Sequence, residues 1–376
     1  MGIEQGRISK WQTVFLVANS ILASMILVAP SLLVQVAGED AWITVLIAGV
    51  FGLLIGGLVV SLGLRFPRQT LVEYSIDLLG SWFGRAVCII FALFFLYLNA
   101  YLVRTFSGLL VTETMPETPF VVFNILLIIL VAYGVYQGLE VITRVNDIVF
   151  PLSILVLLGI FSMGIPEMDF EQLKPFLSHS FPNMLRASLI LLAFYAEGAF
   201  LLMVIPTMSR PEEVKMVVGS VSVILFIVML VDVVGLLALF GSNETARMAF
   251  PTFEFAKTVH LGGFLERIES LVVGIWVGSV GLKIMTFYYI SVVTFAEVFN
   301  LQQYRPLVLP YAFILAVLSI IGWADTNQIR IYLSRYYPLF AITVMVGTTL
   351  LLHITGAGRK KGSKGGEEKD EGDISH

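Results

Sequence analysis

Residues 66–85 read FPRQTLVEYSIDLLGSWFGR, and residues 250–267 read FPTFEFAKTVHLGGFLER. Phe66-Pro67, Thr70, Gly80 and Arg85 of the first stretch recur as Phe250-Pro251, Thr252, Gly262 and Arg267 of the second. From the threonine onward the offset is constant at 182. Around these two stretches lie runs of about 20 apolar residues, the length that crosses a bilayer. They fall near 11–36, 42–64, 84–111, 119–137 and 146–165, then near 185–206, 216–241, 268–297, 306–323 and 335–354. The offset lays spans 3, 4 and 5 onto spans 8, 9 and 10. Five spans per half is an odd number, so the halves must cross the membrane in opposite senses. That is an inverted repeat, an arrangement found in many secondary transporters.

Composition agrees with a membrane fold. Of 376 residues, 57% are hydrophobic and 13% charged, against about a quarter charged in soluble domains. Mean hydropathy is +0.90. Residues 359–373 hold five cations and five anions, so the remainder is poorer in charge still. A net charge of -4 gives no basic footprint, which argues against a nucleic-acid partner. The single cysteine, Cys88, excludes an internal disulfide, and the four histidines show no ligand spacing for a metal. Soluble-enzyme signatures are missing: there is no phosphate-binding glycine loop and no nucleophile elbow. No cofactor and no catalytic group is therefore expected.

Lysine and arginine set the expected orientation. With the N-terminus in the cytoplasm, Arg7, Lys10, Arg65, Arg68, Arg85 and Arg144 lie inside, while the outer loops 38–40 and 112–119 have no cation. Arg247, Lys257 and Arg267 fall outside, and ten spans return the tail inside, so both termini are expected to be cytoplasmic. The transmembrane domain is expected over 1–355, with repeat one about 11–165 and repeat two about 185–354. Residues 356–376 form a polar tail expected to be disordered. Gly52, Gly56 and Gly57 are small-residue positions suited to close helix packing.

Ionisable side chains are costly in lipid and mark function by default. Arg104, Glu197, Asp232 and Lys283 stand out. Glu197 lies mid-span before Gly198, where an unwound segment would expose backbone groups to a ligand. Its plainer role is a hydrogen-bonded acid that only fixes packing. The equivalent in span 1 is 22–26, followed by Pro30. Span 3 places Tyr97, Tyr101 and Arg104 on one face. Adding 182 gives Ser279, Lys283 and Thr286 on span 8, so the two stripes are expected to face each other across the centre. Lys283 is too deep to snorkel. It either stands in for a coupling cation near a break in span 1, or forms a structural pair with Glu197 or Asp232. Asp232 is a relay carboxylate or a cap for a kink beside Gly235, and Arg104 is placed to reach the headgroups.

Several motifs resemble a known family. They are Ile8-Ser9-Lys10-Trp11-Gln12, residues 133–144, Glu197-Gly198-Ala199-Phe200 through Pro206, Phe250-Pro251-Thr252, and 265–269 with Trp276 and Lys283. Over about 8–353 the chain resembles the spore germination permeases, the B subunits of nutrient germinant receptors, within the amino acid–polyamine–organocation superfamily. The resemblance implies an all-α, LeuT-type five-plus-five fold with spans 1 and 6 broken. It implies a central site between spans 1, 3, 6 and 8, a receptor A subunit and a lipoprotein C subunit as partners, and the spore inner membrane as location. Relatives carry glycine near the span 1 break, where this chain has Ala23, Ser24 and Met25.

The expected ligand is a small nutrient germinant, an amino acid first. Its carboxylate is expected on free N–H groups around Ala23, Ser24 and Met25. Its ammonium is expected on carbonyls of Phe194, Tyr195 and Ala196, beside Glu197 and Gly198. Tyr97 and Tyr101 would close one side, and Lys283, Thr286 and Phe287 the other. The alternative is an amino-acid/proton symporter using Glu197, Asp232 and Lys283 as proton carriers.

Overall fold

The structure is a computed structural model that describes residues 6–113, 115–258, 268–323 and 326–358. Gly262, His260, Arg267, the motif at 265–267 and the tail from 359 lie outside the described residues.

Repeat one contains α1 (Lys10–Ala37), α2 (Ala41–Arg65), the short α3 (Leu71–Leu79), α4 (Ser81–Glu113), α5 (Phe120–Gln137) and α6 (Leu139–Gly164). Repeat two opens with α7 (Phe181–Glu197) and α8 (Leu201–Val204), which form one span, followed by α9 (Val214–Arg247) and the short α10 (Pro251–Thr258). It closes with α11 (Ile268–Val298), α12 (Arg305–Ile321) and a final span of α13 (Thr326–Ile331), α14 (Tyr337–Ala341) and α15 (Gly347–Gly358), joined through π-helical turns. Eight segments are long and apolar enough to span. The first of them, Lys10–Arg65, holds both α1 and α2, and α12 adds a shorter apolar helix of 17 residues. Ten crossings are thus present among the described residues, and the protein is a multi-pass membrane protein. Isolated pairing of Ile8 with Met208 is the one β-type contact there.

The threonines of the 182-residue echo each lie at the start of a short helix. Thr70 is the N-cap of α3, accepting from Glu73 N while Glu73 bonds the Thr70 amide in a capping box. Thr252, its counterpart, is the second residue of α10. Gly80 ends α3 with φ +87, a left-handed conformation that side chains disfavour, so that the chain turns directly into α4. α4 and α11, the repeat-related pair, pack against each other at the centre.

Burial sorts the helices into layers. α1, α7 and α11 form the interior: 89% of the most apolar window is buried in Phe181–Thr207 and likewise in Val273–Val298. α5, α6 and the last span lie outside, at 33%, 22% and 33%. Ile148 and Leu155 of α6, Leu309 and Phe313 of α12, and Leu339 of the last span turn outward as a lipid-facing belt. Close packing follows the small residues in part. A Cβ on Gly52 would lie 2.5 Å from the Tyr195 ring, and one on Gly56 2.5 Å from Val218. Gly57 meets nothing within 4 Å, so it takes no part in that contact.

α1 departs from expectation. It runs as one helix through Ala23–Met25 with no break. The stretch 22–26 has no glycine to lower the cost of unwinding, and the one hydrogen bond that Pro30 removes is replaced from outside the helix, as described below. The other expected interruption is where Glu197 predicts it. α7 ends at Glu197, and Gly198–Phe200 tighten into a 3-10 turn before α8. Its backbone stays right-handed, with Gly198 at φ -56 and ψ -12, so the segment is tightened rather than unwound.

Candidate functional site

Glu197, Lys283, Ser24 and Tyr337 meet at the centre. Lys283 reaches in from α11, Ser24 from α1 and Glu197 from the last turn of α7. Tyr337 follows the π-helical turn Tyr332–Tyr336, a distortion often found at functional places. Lys283 Nζ donates to Glu197 Oε2 at 2.7 Å and to Ser24 Oγ at 2.6 Å. Tyr337 Oη donates to the other carboxylate oxygen, Glu197 Oε1. The rings of Phe194 and Phe287 flank the ammonium at 5.8 and 5.1 Å. Lys283 and Glu197 are both fully buried. Of the two partners the sequence offered for Lys283, the structure selects Glu197.

This network ties both repeats together, because its four side chains come from the first, third-last and last spans and from the interrupted span. It is an ion pair in low dielectric with both oxygens of the carboxylate satisfied, the condition under which such a pair is tolerated. No group of three or more metal-ligating side chains occurs among the described residues.

Beside Ser24 lies a small void of about 10 Å³ between α1, α4 and α11. Its polar groups are Ser24, Tyr101 and Thr105, and its apolar wall includes Leu27, Val28 and Phe106. Tyr101 Oη and Thr105 Oγ1 are within each other's reach, yet neither makes a well-formed hydrogen bond. A larger cavity, about 60 Å³, lies across α1, bounded by α6, α10 and α11. It includes Asn19, Ala23, Ser153, Trp276 and Ser279 but touches none of the central charged groups.

The expected site residues divide accordingly. Ser24, Tyr101, Glu197 and Lys283 are brought together, with Phe194 and Phe287 as their walls. Met25, Ala196 and Ala23 are buried in the core around them, Ala23 on the side of the larger cavity. Gly198 opens the 3-10 turn. Tyr195 points away, against Gly52 of α2. Tyr97 is 37% exposed and packs with Trp323, Tyr332 and Phe340 in an aromatic cluster rather than in either cavity. Thr286 gives its hydroxyl to Leu282 O of its own helix. Arg104 lies over the Phe120 ring at 4.2 Å.

Two residues of the site escaped the sequence. Thr105 is four residues beyond Tyr101, and extending the tyrosine stripe by four rather than three would have found it. Tyr337 has Leu155 at its repeat-related position, so no symmetry signal pointed to it.

Ten crossings, an inverted repeat and a charged centre at an interrupted span define a LeuT-type membrane protein. Solved structures share the fold: MhsT in complex with L-phenylalanine superposes with a TM-score of 0.61 at 13% identity, covering 94% of this chain and 99% of that one. A Na+-coupled sialic acid symporter gives 0.67 at 13% identity, covering 93% and 90%. Residues 7–328 match the family described as spore germination protein, and the chain belongs to that family. Its relatives include Spore germination protein YndE of Bacillus subtilis (strain 168), 24% identical over 95% of this chain and 98% of the relative. Spore germination protein KB of the same strain is 25% identical over 85% and 86%, and Spore germination protein XB of Bacillus anthracis is 21% identical over 92% and 96%.

Proposed function

We propose that this chain is the ligand-binding membrane subunit of a spore nutrient germinant receptor, and that its germinant is a small α-amino acid with an apolar side chain. The carrying observation is the buried pair of Lys283 and Glu197 held to Ser24, beside a small void lined by Ser24, Tyr101 and Thr105. In this conformation the void holds about one water, so the ligand enters by opening it between α1 and α4. A zwitterion suits this place because it meets a buried ion pair without leaving a charge uncompensated. The ligand carboxylate takes hydrogen bonds from Lys283, Tyr101 and Thr105. Its ammonium is set toward Glu197, and its side chain lies on Leu27, Val28 and Phe106. This pose replaces one built on free N–H groups of α1, since α1 has no unwound turn there.

Sensing needs only that the ligand prefer one of two conformations. Drawing Lys283 from Ser24 loosens α1 from α11, a change that the A subunit and the lipoprotein C subunit could read in the spore inner membrane. Transport of the ligand is not part of this function.

The test is germination of spores carrying Tyr101→Phe or Thr105→Val against amino acids, sugars and nucleosides, with radiolabelled uptake alongside. Each substitution removes a hydroxyl and little else. Losing one hydrogen bond worth about 1 kcal/mol is expected to raise the half-effective concentration of one amino acid about five- to tenfold, with uptake unchanged. An unaltered dose response in both variants would remove the cavity from the function. Lost uptake with normal germination would make the chain a transporter.

A further inference from the structure

In α1, Pro30 has no N–H to give to the carbonyl of Ile26, four residues back. That carbonyl instead accepts from Thr252 Oγ1 of α10 at 3.0 Å. The same hydroxyl lies 2.9 Å from Oδ1 of Asp232 on α9, while Asp232 Oδ2 has no partner. Thr252 is 3% exposed and Asp232 is fully buried.

Hydrogen counting decides the arrangement. A hydroxyl carries one proton. The Ile26 carbonyl can only accept, and Pro30 leaves it no donor in its own helix. If Thr252 serves it, Asp232 can bond Thr252 only by donating, which requires the protonated acid. If Asp232 were ionised, it would claim the threonine proton. The Ile26 carbonyl would then be orphaned and a carboxylate would be buried without a cation, two costs at once.

We infer that Asp232 is a proton-binding site, filled in this conformation, whose proton completes a chain from α9 through Thr252 to the carbonyl of α1 freed by Pro30.

Among the described residues, no other charged group is bonded to Asp232. On α10, Glu254 pairs with Lys257 at 3.0 Å; on α9, Glu244 pairs with Arg247 at 3.7 Å and Lys215 is at the far end. On α6, Asp147 holds Gln12 at 2.9 Å, and Glu140 pairs with Arg144 at 2.5 Å. Glu39 holds Ser242 at 2.6 Å, Asp40 binds the 177–179 loop, Asp169 bonds Glu171 N, and Glu171 pairs with Lys174 at 2.8 Å. Arg65 of α2 is bonded to Gly356 O, Glu213 faces Arg210 at 3.8 Å, and α1 brings the Ile26 carbonyl to this place.

Ionisation would release α1 from α10 two residues beyond Ser24. The site is independent of the ligand reading above, since it uses none of the residues of the central cavity.

The experiment is infrared spectroscopy of the full chain in lipid nanodiscs near neutral pH, with carbon-13-labelled aspartate. The expected result is one carboxylic-acid C=O band that moves with the label, vanishes in Asp232→Asn and shifts in Thr252→Val. Asparagine keeps a donor toward Thr252, so this variant retains the packing. If it nonetheless fails to fold, the label in the unmodified chain decides alone, because aspartates outside the membrane are ionised near neutral pH. The proposal is overturned by the lack of a label-sensitive band or by a band unchanged in Asp232→Asn. It is equally overturned by a band that appears only when sodium is replaced by choline, since a metal cation would then be the occupant.

Discussion

Lys283→Met is expected to be the most damaging single substitution in this protein. Methionine nearly fills the volume of lysine but leaves Glu197 with its charge and one donor, Tyr337, in a fully buried place. Removing one partner of such a pair costs about 3–5 kcal/mol, much of it the penalty of the stranded charge. Ser24 also loses the ammonium it accepts from. Thermal unfolding of the purified chain should therefore shift strongly downward, and spores carrying the variant should lose the nutrient response. Adding Glu197→Gln removes the stranded charge, so the double variant should regain most of the stability while remaining unresponsive. That split separates the structural role of the pair from its role in binding. A Lys283→Met chain as stable and responsive as the parent would show that the pair serves neither.

The second large effect is expected at Asp40, which neither the span pattern nor the repeat singled out. Asp40 is fully buried at the junction of α1 and α2. Its Oδ1 accepts from Leu177 N at 2.6 Å, and its Oδ2 accepts from His179 N at 2.8 Å and Ser178 Oγ at 3.2 Å. One carboxylate thus shapes the connection between the two repeats. Hydrogen bonds to a charged group contribute about 1.5–3 kcal/mol each, and they share one acceptor and are not additive. Asp40→Ala is expected to destabilise by about 3 kcal/mol and to expose the 170–180 stretch to limited proteolysis. Asp40→Asn keeps one acceptor oxygen and should fall between. Proteolysis of Asp40→Ala no faster than that of the parent would mean the loop is held by its packing, such as Phe176 on Trp42 at 6.1 Å.

These two residues show how unevenly the molecule could be read. Lys283 and Glu197 announced themselves because charge inside an apolar run is expensive and demands a reason. Asp40 sits between runs, where an acid needs no explanation, so its role surfaced only with the loop folded over it. Tyr97 misled for the opposite reason. Its spacing with Tyr101 places both on one helix face, but a face about 100° wide contains neighbours with different surroundings. The rotation of α4 turns Tyr101 to the cavity and leaves Tyr97 among Trp323, Tyr332 and Phe340.

Apolar run length, the odd number of spans per half and the offset of 182 determined the membrane class, the ten crossings and the inverted repeat, because each depends on the order of residues along one chain. The same local physics located the interruption at Glu197–Gly198. Which partner each buried charge takes was settled only by the tertiary structure. Lys283 joins residues 86 and 259 positions away in sequence, and Tyr337 reaches Glu197 across 140. Such meetings depend on helix rotation and crossing, which the packing of the whole bundle sets. The continuity of α1 belongs with them. Pro30 frees a carbonyl wherever it stands, but only the fold brings Thr252 to it.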